Sequence, residues 1–132
     1  MSTVKFAVVR EDPQPELDSL TRSKGYHALL VASGGCTAFH LQHALPDLKL
    51  DLFDINQCQL VHVRQRSEAI AQQRYSDLNI NEKAPSGLSQ CGVFEKFFRV
   101  FRQIFIEFIS CEEEVEAFFG CASIDRQKIV RG

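Results

Sequence analysis

Gly34, Gly35 and Asp54 are the residues of this chain whose types and spacing point most directly to chemistry. The glycines stand in Ser33-Gly34-Gly35-Cys36, immediately after an apolar run at residues 28–32, and a segment of helical period follows them. A strand that stops and turns sharply into a helix leaves backbone N–H groups unpaired at the helix start, facing the carboxyl edge of a parallel sheet. Residues without a β-carbon suit such a turn, because they adopt positive φ and let a ligand lie against the main chain. Asp54 comes near the end of a second apolar run at residues 48–55. At the carboxyl end of a neighbouring strand, an acid can accept hydrogen bonds from two adjacent ribose hydroxyls. Turn and acid together describe a site for adenosine.

These groups can act together only if the flanking segments form one strand–helix–strand unit. Residues 28–32 and 48–55 are the expected strands. Ala38, Leu41 and Leu45 mark one stripe of the helix between them, and Pro46 ends it. The second run becomes fully apolar, as in a strand buried on both faces. Asn56 is placed to cap the next helix, with Gln59 completing a capping box and Leu60, Val63 and Ile70 marking the inner face as far as about Arg74. Upstream, residues 4–9 read as a strand or a buried approach segment, and residues 17–22 as a short helix ended by Lys24-Gly25. Residues 75–91 lose periodicity and read as a loop. Phe94, Phe97, Phe98, Phe101, Ile104, Phe105 and Phe108 then repeat at helical spacing opposite Glu95, Lys96, Arg99, Arg102 and Glu107. Such a stripe faces a core, its commoner use, or else a lipid surface or partner. Ser110 with Glu113 predicts another capping box, opening a helix through Phe119 before an irregular tail at residues 121–132.

The choice of cofactor rests on what the turn lacks. A dinucleotide site asks for G-x-G-x-x-G, whose third glycine permits close packing of helix on strand. Here those positions are Gly34, Cys36 and Phe39. A ligand without a pyrophosphate needs a less open loop, so S-adenosylmethionine fits better than a nicotinamide dinucleotide, and hydride transfer is the least favoured activity.

Val8-Val9-Arg10-Glu11-Asp12-Pro13, the turn Ala32-Ser33-Gly34-Gly35-Cys36, Asp54-Ile55-Asn56 followed by Gln59, and Gly92-Val93-Phe94-Glu95-Lys96-Phe97-Phe98-Arg99 complete a pattern. It resembles the aminocarboxypropyltransferases that build betaine-lipid headgroups from S-adenosylmethionine and diacylglycerol, over most of the chain up to about Phe119. The resemblance implies an α/β class of Rossmann-like, class I methyltransferase-like type, incomplete here, with one clear βαβ unit followed by helices. It implies an S-adenosylmethionine site drawn from Arg10, Glu11, Asp12, Ser33, Gly34, Gly35, Cys36, Asp54 and Asn56. Arg10 would pair with the methionyl carboxylate, and Glu11 or Asp12 with the amino group. The implied reaction transfers the aminocarboxypropyl group to a lipid acceptor at a membrane surface or to a small molecule, whereas the residues themselves leave methyl transfer equally open. Read from the residues alone, positions 10–12 are a solvated turn and Asn56 is a helix cap.

The 132 residues are enough for one domain, here expected to span the whole chain, and two strands are too few for a stable parallel sheet. The chain is therefore expected to be the amino-terminal part of a larger fold, or one whose sheet a second chain completes. With 45% hydrophobic and 24% charged residues, a formal net charge of -2 and no block of one sign, no nucleic-acid partner is expected. Five widely spaced cysteines and the absence of a leader-like start point to free thiols in a cytoplasmic protein, peripheral to a membrane if the acceptor is a lipid. Cys36 with His40, and Cys58 with His62, have the spacing of same-face helical pairs, but no CxxC or HExxH supports metal, and none is expected. No spacing selects a general base; His27, His40 and Asp12 are candidates by residue type. The competing reading is a non-catalytic Rossmann-like protein that offers its phenylalanine helix to a partner.

Overall fold

The computed structural model describes residues 3–9, 11–80 and 85–120, so the expected tail at 121–132 lies outside the described residues. The chain divides into two compact units, Met1–Lys96 and Phe97–Gly132. The fold mixes helices with a two-stranded parallel sheet.

In the first unit, helix α1 (Gln14–Ser23) starts behind Pro13 and stops where Lys24 turns left-handed, with φ 52°, and returns its N–H to the Leu20 carbonyl. Strand β1 (His27–Val31) leads through the glycine turn into α2 (Cys36–Ala44), and β2 (Lys49–Phe53) then pairs with β1 in parallel, His27 beside Lys49 and Val31 beside Phe53. The expected strand–helix–strand unit is formed. Asn56 caps α3 (Gln57–Ala71) by accepting the Cys58 N–H at 3.1 Å. One turn of helix, α4 (Tyr75–Leu78), interrupts what reads from sequence as an uninterrupted loop. The core here is built from small and mid-sized side chains, among them Ala7, Ala32, Ala38, Leu41, Leu48, Val63 and Ala69.

The expectation that β2 is buried on both faces is overturned. Leu29, Val31 and Phe53 share the outward face of the sheet and are exposed, and Ile55 just beyond β2 is fully so. A parallel sheet is covered on both faces when crossover helices lie on both, and among the described residues this outward face has no such cover.

Helix α5 (Val93–Phe108) begins in the first unit and runs into the second, where α6 (Glu112–Gly120) follows. The Ser110 cap is made with Glu114, not with Glu113 as expected: the Ser110 hydroxyl donates to the Glu114 carboxylate, which also takes the Cys111 N–H at 3.4 Å. Among the described residues Phe97, Phe98, Phe101, Ile104 and Phe108 are exposed, which differs from the reading of this stripe as core. Among the described residues no helix is long and apolar enough to cross a membrane.

Candidate functional site

The glycine turn and Asp54 meet at the carboxyl edge of the sheet. Ala32 donates its N–H to the Phe53 carbonyl at 2.8 Å, the last rung before the strands part, and Gly35 N–H closes the turn on the Ala32 carbonyl at 2.8 Å. One Asp54 carboxylate oxygen then accepts the Ser33 N–H at 3.2 Å, and the other accepts the Asn56 N–H at 2.8 Å. Each of these oxygens keeps lone-pair capacity for a further donor. The positive φ values fall on Ser33 (43°) and Gly35 (83°), with Gly35 the residue from which α2 starts. A serine held left-handed costs of order 1 kcal/mol, strain of the kind that collects at binding sites. The Cys36, Thr37 and Ala38 amides, the first turn of α2, take no acceptor among the described residues.

Gly34 serves a different purpose from the one read in the sequence. A β-carbon there would stand 2.8 Å from the Val8 backbone, so the space is filled by the chain's own residues 3–9. That segment is an approach segment, not a strand, and its backbone polar groups find partners largely on side chains. Gln59 Oε1 accepts the N–H groups of Lys5 at 2.6 Å and Phe6 at 3.3 Å, while Gln59 Nε2 donates to the carbonyls of Phe6 at 2.9 Å and Ser33 at 2.5 Å. His62 Nε2 and Arg66 donate to the Ala7 carbonyl at 2.9 and 3.1 Å, and Arg66 also donates to the Gly34 carbonyl and, at 3.3 Å, to Cys36 Sγ. Glu95 accepts the Ala7 N–H at 2.8 Å, and Asn56 donates to the Thr3 carbonyl at 2.8 Å. The start of α5 adds two backbone bonds, Val93 N–H to Val4 and Phe94 N–H to Lys5. Buried main-chain groups must be satisfied, and an extended segment with no ladder neighbour draws on polar side chains instead.

This corrects two sequence readings. Gln59 does not complete the capping box, because its amide is engaged with residues 5, 6 and 33. The inner face of α3 is Gln59, His62, Val63, Arg66 and Ala69, largely polar, while Ile70 is exposed. Sequence reasoning gave Gln59 a capping role, weighed His62 only as a metal partner of Cys58, set Glu95 opposite the phenylalanine stripe and passed over Arg66, although Gln59, His62 and Arg66 lie on one helical stripe at i, i+3 and i+7.

The other expected site residues are placed as follows. Cys36 opens α2, and its sulfur accepts the Val9 N–H at 3.3 Å. Arg10 lies outside the described residues. Glu11 and Asp12 are exposed two and three residues beyond that Val9 contact, and Asp12 accepts the Gln14 N–H at 3.0 Å. His27 is at the far end of β1 from the turn, bonded to Asp51 at 2.6 Å, and His40 is exposed on α2. Among the described residues no group of three or more His, Cys, Asp or Glu could hold a metal ion. Two surface concavities lie away from the turn, one along α1 between Asp12 and Arg22, the other between α3, α4 and residues 86–91.

Burial holds His62 below the usual imidazole value, opposed by its bond to the Ala7 carbonyl; Arg66 lowers it further and Glu95 raises it. Burial likewise pushes the Cys91 thiol up, so the sulfur 3.7 Å from His62 Nδ1 is a neutral neighbour. An unfolded histidine takes up its proton near pH 6.5, before the folded one does, so the unfolded chain binds more protons as pH falls. The contribution of His62 is therefore complete above about pH 6.5 and is lost as pH drops through its lowered folded value. Urea unfolding at pH 7.5 and 5.5 is expected to show a fall in stability that His62→Gln reduces; an equal fall in both proteins removes this assignment.

No protein-family model, curated protein or solved structure matches the chain.

Proposed function

We propose that the chain is an S-adenosylmethionine-binding transferase module of incomplete Rossmann-like architecture, related to the aminocarboxypropyltransferases it resembles, with the nucleoside held between the glycine turn and Asp54. The observation that carries this reading is the 3.2 Å contact of the Asp54 carboxylate with the Ser33 N–H, at the edge where two parallel strands part. An acid anchored there by two backbone amides is preset to receive a ribose diol. The Val9 N–H bond to Cys36 Sγ holds Val9 at the start of α2, which supports giving the segment that follows in sequence, Arg10, Glu11 and Asp12, to the methionyl end.

In such chemistry the sulfonium is already a good leaving group, and the protein's task is to align an acceptor with the carbon attacked. Attack at the methyl group gives methylation. Attack at the aminocarboxypropyl carbon, the reading taken here with a lipid or small molecule as acceptor, leaves methylthioadenosine. A second chain that adds strands at the sheet edges and packs a helix over Leu29, Val31 and Phe53 would complete the domain.

Calorimetric titration with S-adenosylmethionine tests the site. The parent chain is expected to release heat, and Asp54→Ala to weaken binding at least about 30-fold, as expected when hydrogen bonds to a charged acceptor are lost. No heat from the parent removes the cofactor; equal heat from the variant removes Asp54 from the ribose. Mass spectrometry of the spent cofactor then separates the two transfers.

A second reading is favoured by the exposed phenylalanine face of α5: a non-catalytic protein of this shape that acts by binding a partner through that helix.

A further inference from the structure

Residues 3–9 form a strap along the carboxyl edge of the sheet. At one end the Thr3 carbonyl takes the side-chain N–H of Asn56, whose backbone N–H bonds Asp54; at the other the Val9 N–H bonds Cys36 Sγ. Between these ends the strap passes two glycines at distances that leave no room for a side chain. A β-carbon on Gly34 would stand 2.8 Å from the Val8 backbone, and one on Gly92 would stand 2.6 Å from the Ala7 nitrogen. Directly after Gly92, the N–H groups of Val93 and Phe94 and the carboxylate of Glu95 bond the strap at Val4, Lys5 and Ala7.

Two side chains hold the strap and the glycine turn at once. The Gln59 amide donates to the carbonyls of both Phe6 and Ser33, and Arg66 Nη1 to those of both Ala7 and Gly34. Ser33, Gly34, Cys36 and Asn56, four residues assigned to the nucleoside, are therefore each tied to the strap directly or through one shared side chain. Ser33 is held left-handed at φ 43°, and a strained residue keeps its geometry only where its surroundings fix it. Here the Asp54 carboxylate and the Gln59 amide fix it. The sheet has only β1 and β2 among the described residues, so the strap has no ladder neighbour. A segment held by side chains and a helix start opens well below the free energy of global unfolding.

We infer that closure of this strap and binding of the nucleoside favour one another, a role that rests on the transferase reading above. The closed strap keeps Gln59 and Arg66 in place, and these hold the Ser33 and Gly34 carbonyls so that the turn keeps its binding shape. Opening removes Phe6 and Ala7 from the two side chains, which are then free to leave the turn, and the open form binds the nucleoside more weakly. Such coupling is reciprocal: the factor by which closure raises affinity is the factor by which the ligand stabilises closure.

Amide exchange of the full chain, followed residue by residue with and without S-adenosylmethionine, tests this coupling. Without ligand the Lys5, Phe6 and Ala7 amides are expected to exchange ahead of the amide of buried Val63; at saturating ligand they are expected to slow at least about 10-fold. Gly92→Ala crowds the strap, since the atoms nearest the added methyl belong to Glu95, Ala7 and Lys5 and none to a residue assigned to the nucleoside. Calorimetry is expected to show it binding S-adenosylmethionine at least about 10-fold more weakly than the parent, with an unchanged circular dichroism spectrum, while Gly25→Ala binds as the parent does. Should Gly92→Ala fail to fold, the exchange of the parent decides alone. Strap amides no faster than Val63, strap amides that bound ligand does not slow, or a folded Gly92→Ala that binds as tightly as the parent overturns the coupling and leaves the site standing. No heat from the parent removes the site itself, and the coupling with it.

Discussion

Gln59→Leu is expected to lower folding stability by about 3 kcal/mol, measured as a fall in the urea midpoint at pH 7.5. Leucine nearly matches glutamine in volume, so packing is preserved and the loss isolates hydrogen bonding. Four backbone groups lose their partner at once: the N–H groups of Lys5 and Phe6 and the carbonyls of Phe6 and Ser33. Each group left unsatisfied costs on the order of 1 kcal/mol where water can reach part of it, more where it cannot. Gln59 itself is only 2% exposed. The same side chain ties residues 5 and 6 to the glycine turn, so amide exchange of residues 3–9 is expected to accelerate ahead of the rest of the first unit. A variant as stable as the parent, with unchanged exchange, would mean that residues 3–9 are not held by this amide.

Gly34→Ala is expected to cost at least about 2 kcal/mol, although the residue has no left-handed φ to lose. The added methyl would stand 2.8 Å from both the Cα and the carbonyl carbon of Val8, rigid atoms that cannot swing aside. Relief requires residues 7–9 to move, which stretches the bonds of Ala7 to His62, Arg66 and Glu95 and of Val9 to Cys36. Gly25→Ala is the control. Its nearest neighbours are the ends of the flexible Ser23 and Leu20 side chains, at 3.3 and 3.6 Å, and its effect should stay within about 1 kcal/mol. If the two alanine variants unfold at the same urea concentration, the Val8 backbone does not occupy the space beside Gly34.

Both experiments concern the same physical arrangement: the carboxyl edge of the sheet is bordered on one side by residues 3–9 of the chain itself. A nucleoside bound at Asp54 would share this edge with that segment. Loss of S-adenosylmethionine affinity in Asp54→Ala with normal stability would therefore separate a role in binding from the carboxylate's structural bonds to Ser33 and Asn56.

The strand–turn–helix–strand unit, the Asn56 cap and the stripe along α5 were legible in the amino-acid sequence, because each depends on interactions within a few residues. Glycine freedom, side-chain capping and helical period are local properties, and they placed Ser33, Gly34, Gly35 and Asp54 on one edge. What only the tertiary structure decided is which surface each pattern meets. Gln59, His62 and Arg66 turn inward because their partners are main-chain groups more than fifty residues earlier, at Lys5, Phe6 and Ala7, and no helical period encodes a partner so far away. For the same reason Gly34 reads as room for a ligand, whereas the fold fills that room with Val8. The α5 stripe shows the division most simply: periodicity established that one face is apolar, and among the described residues that face is exposed, since burial depends on what packs against a helix and not on the helix that carries the stripe.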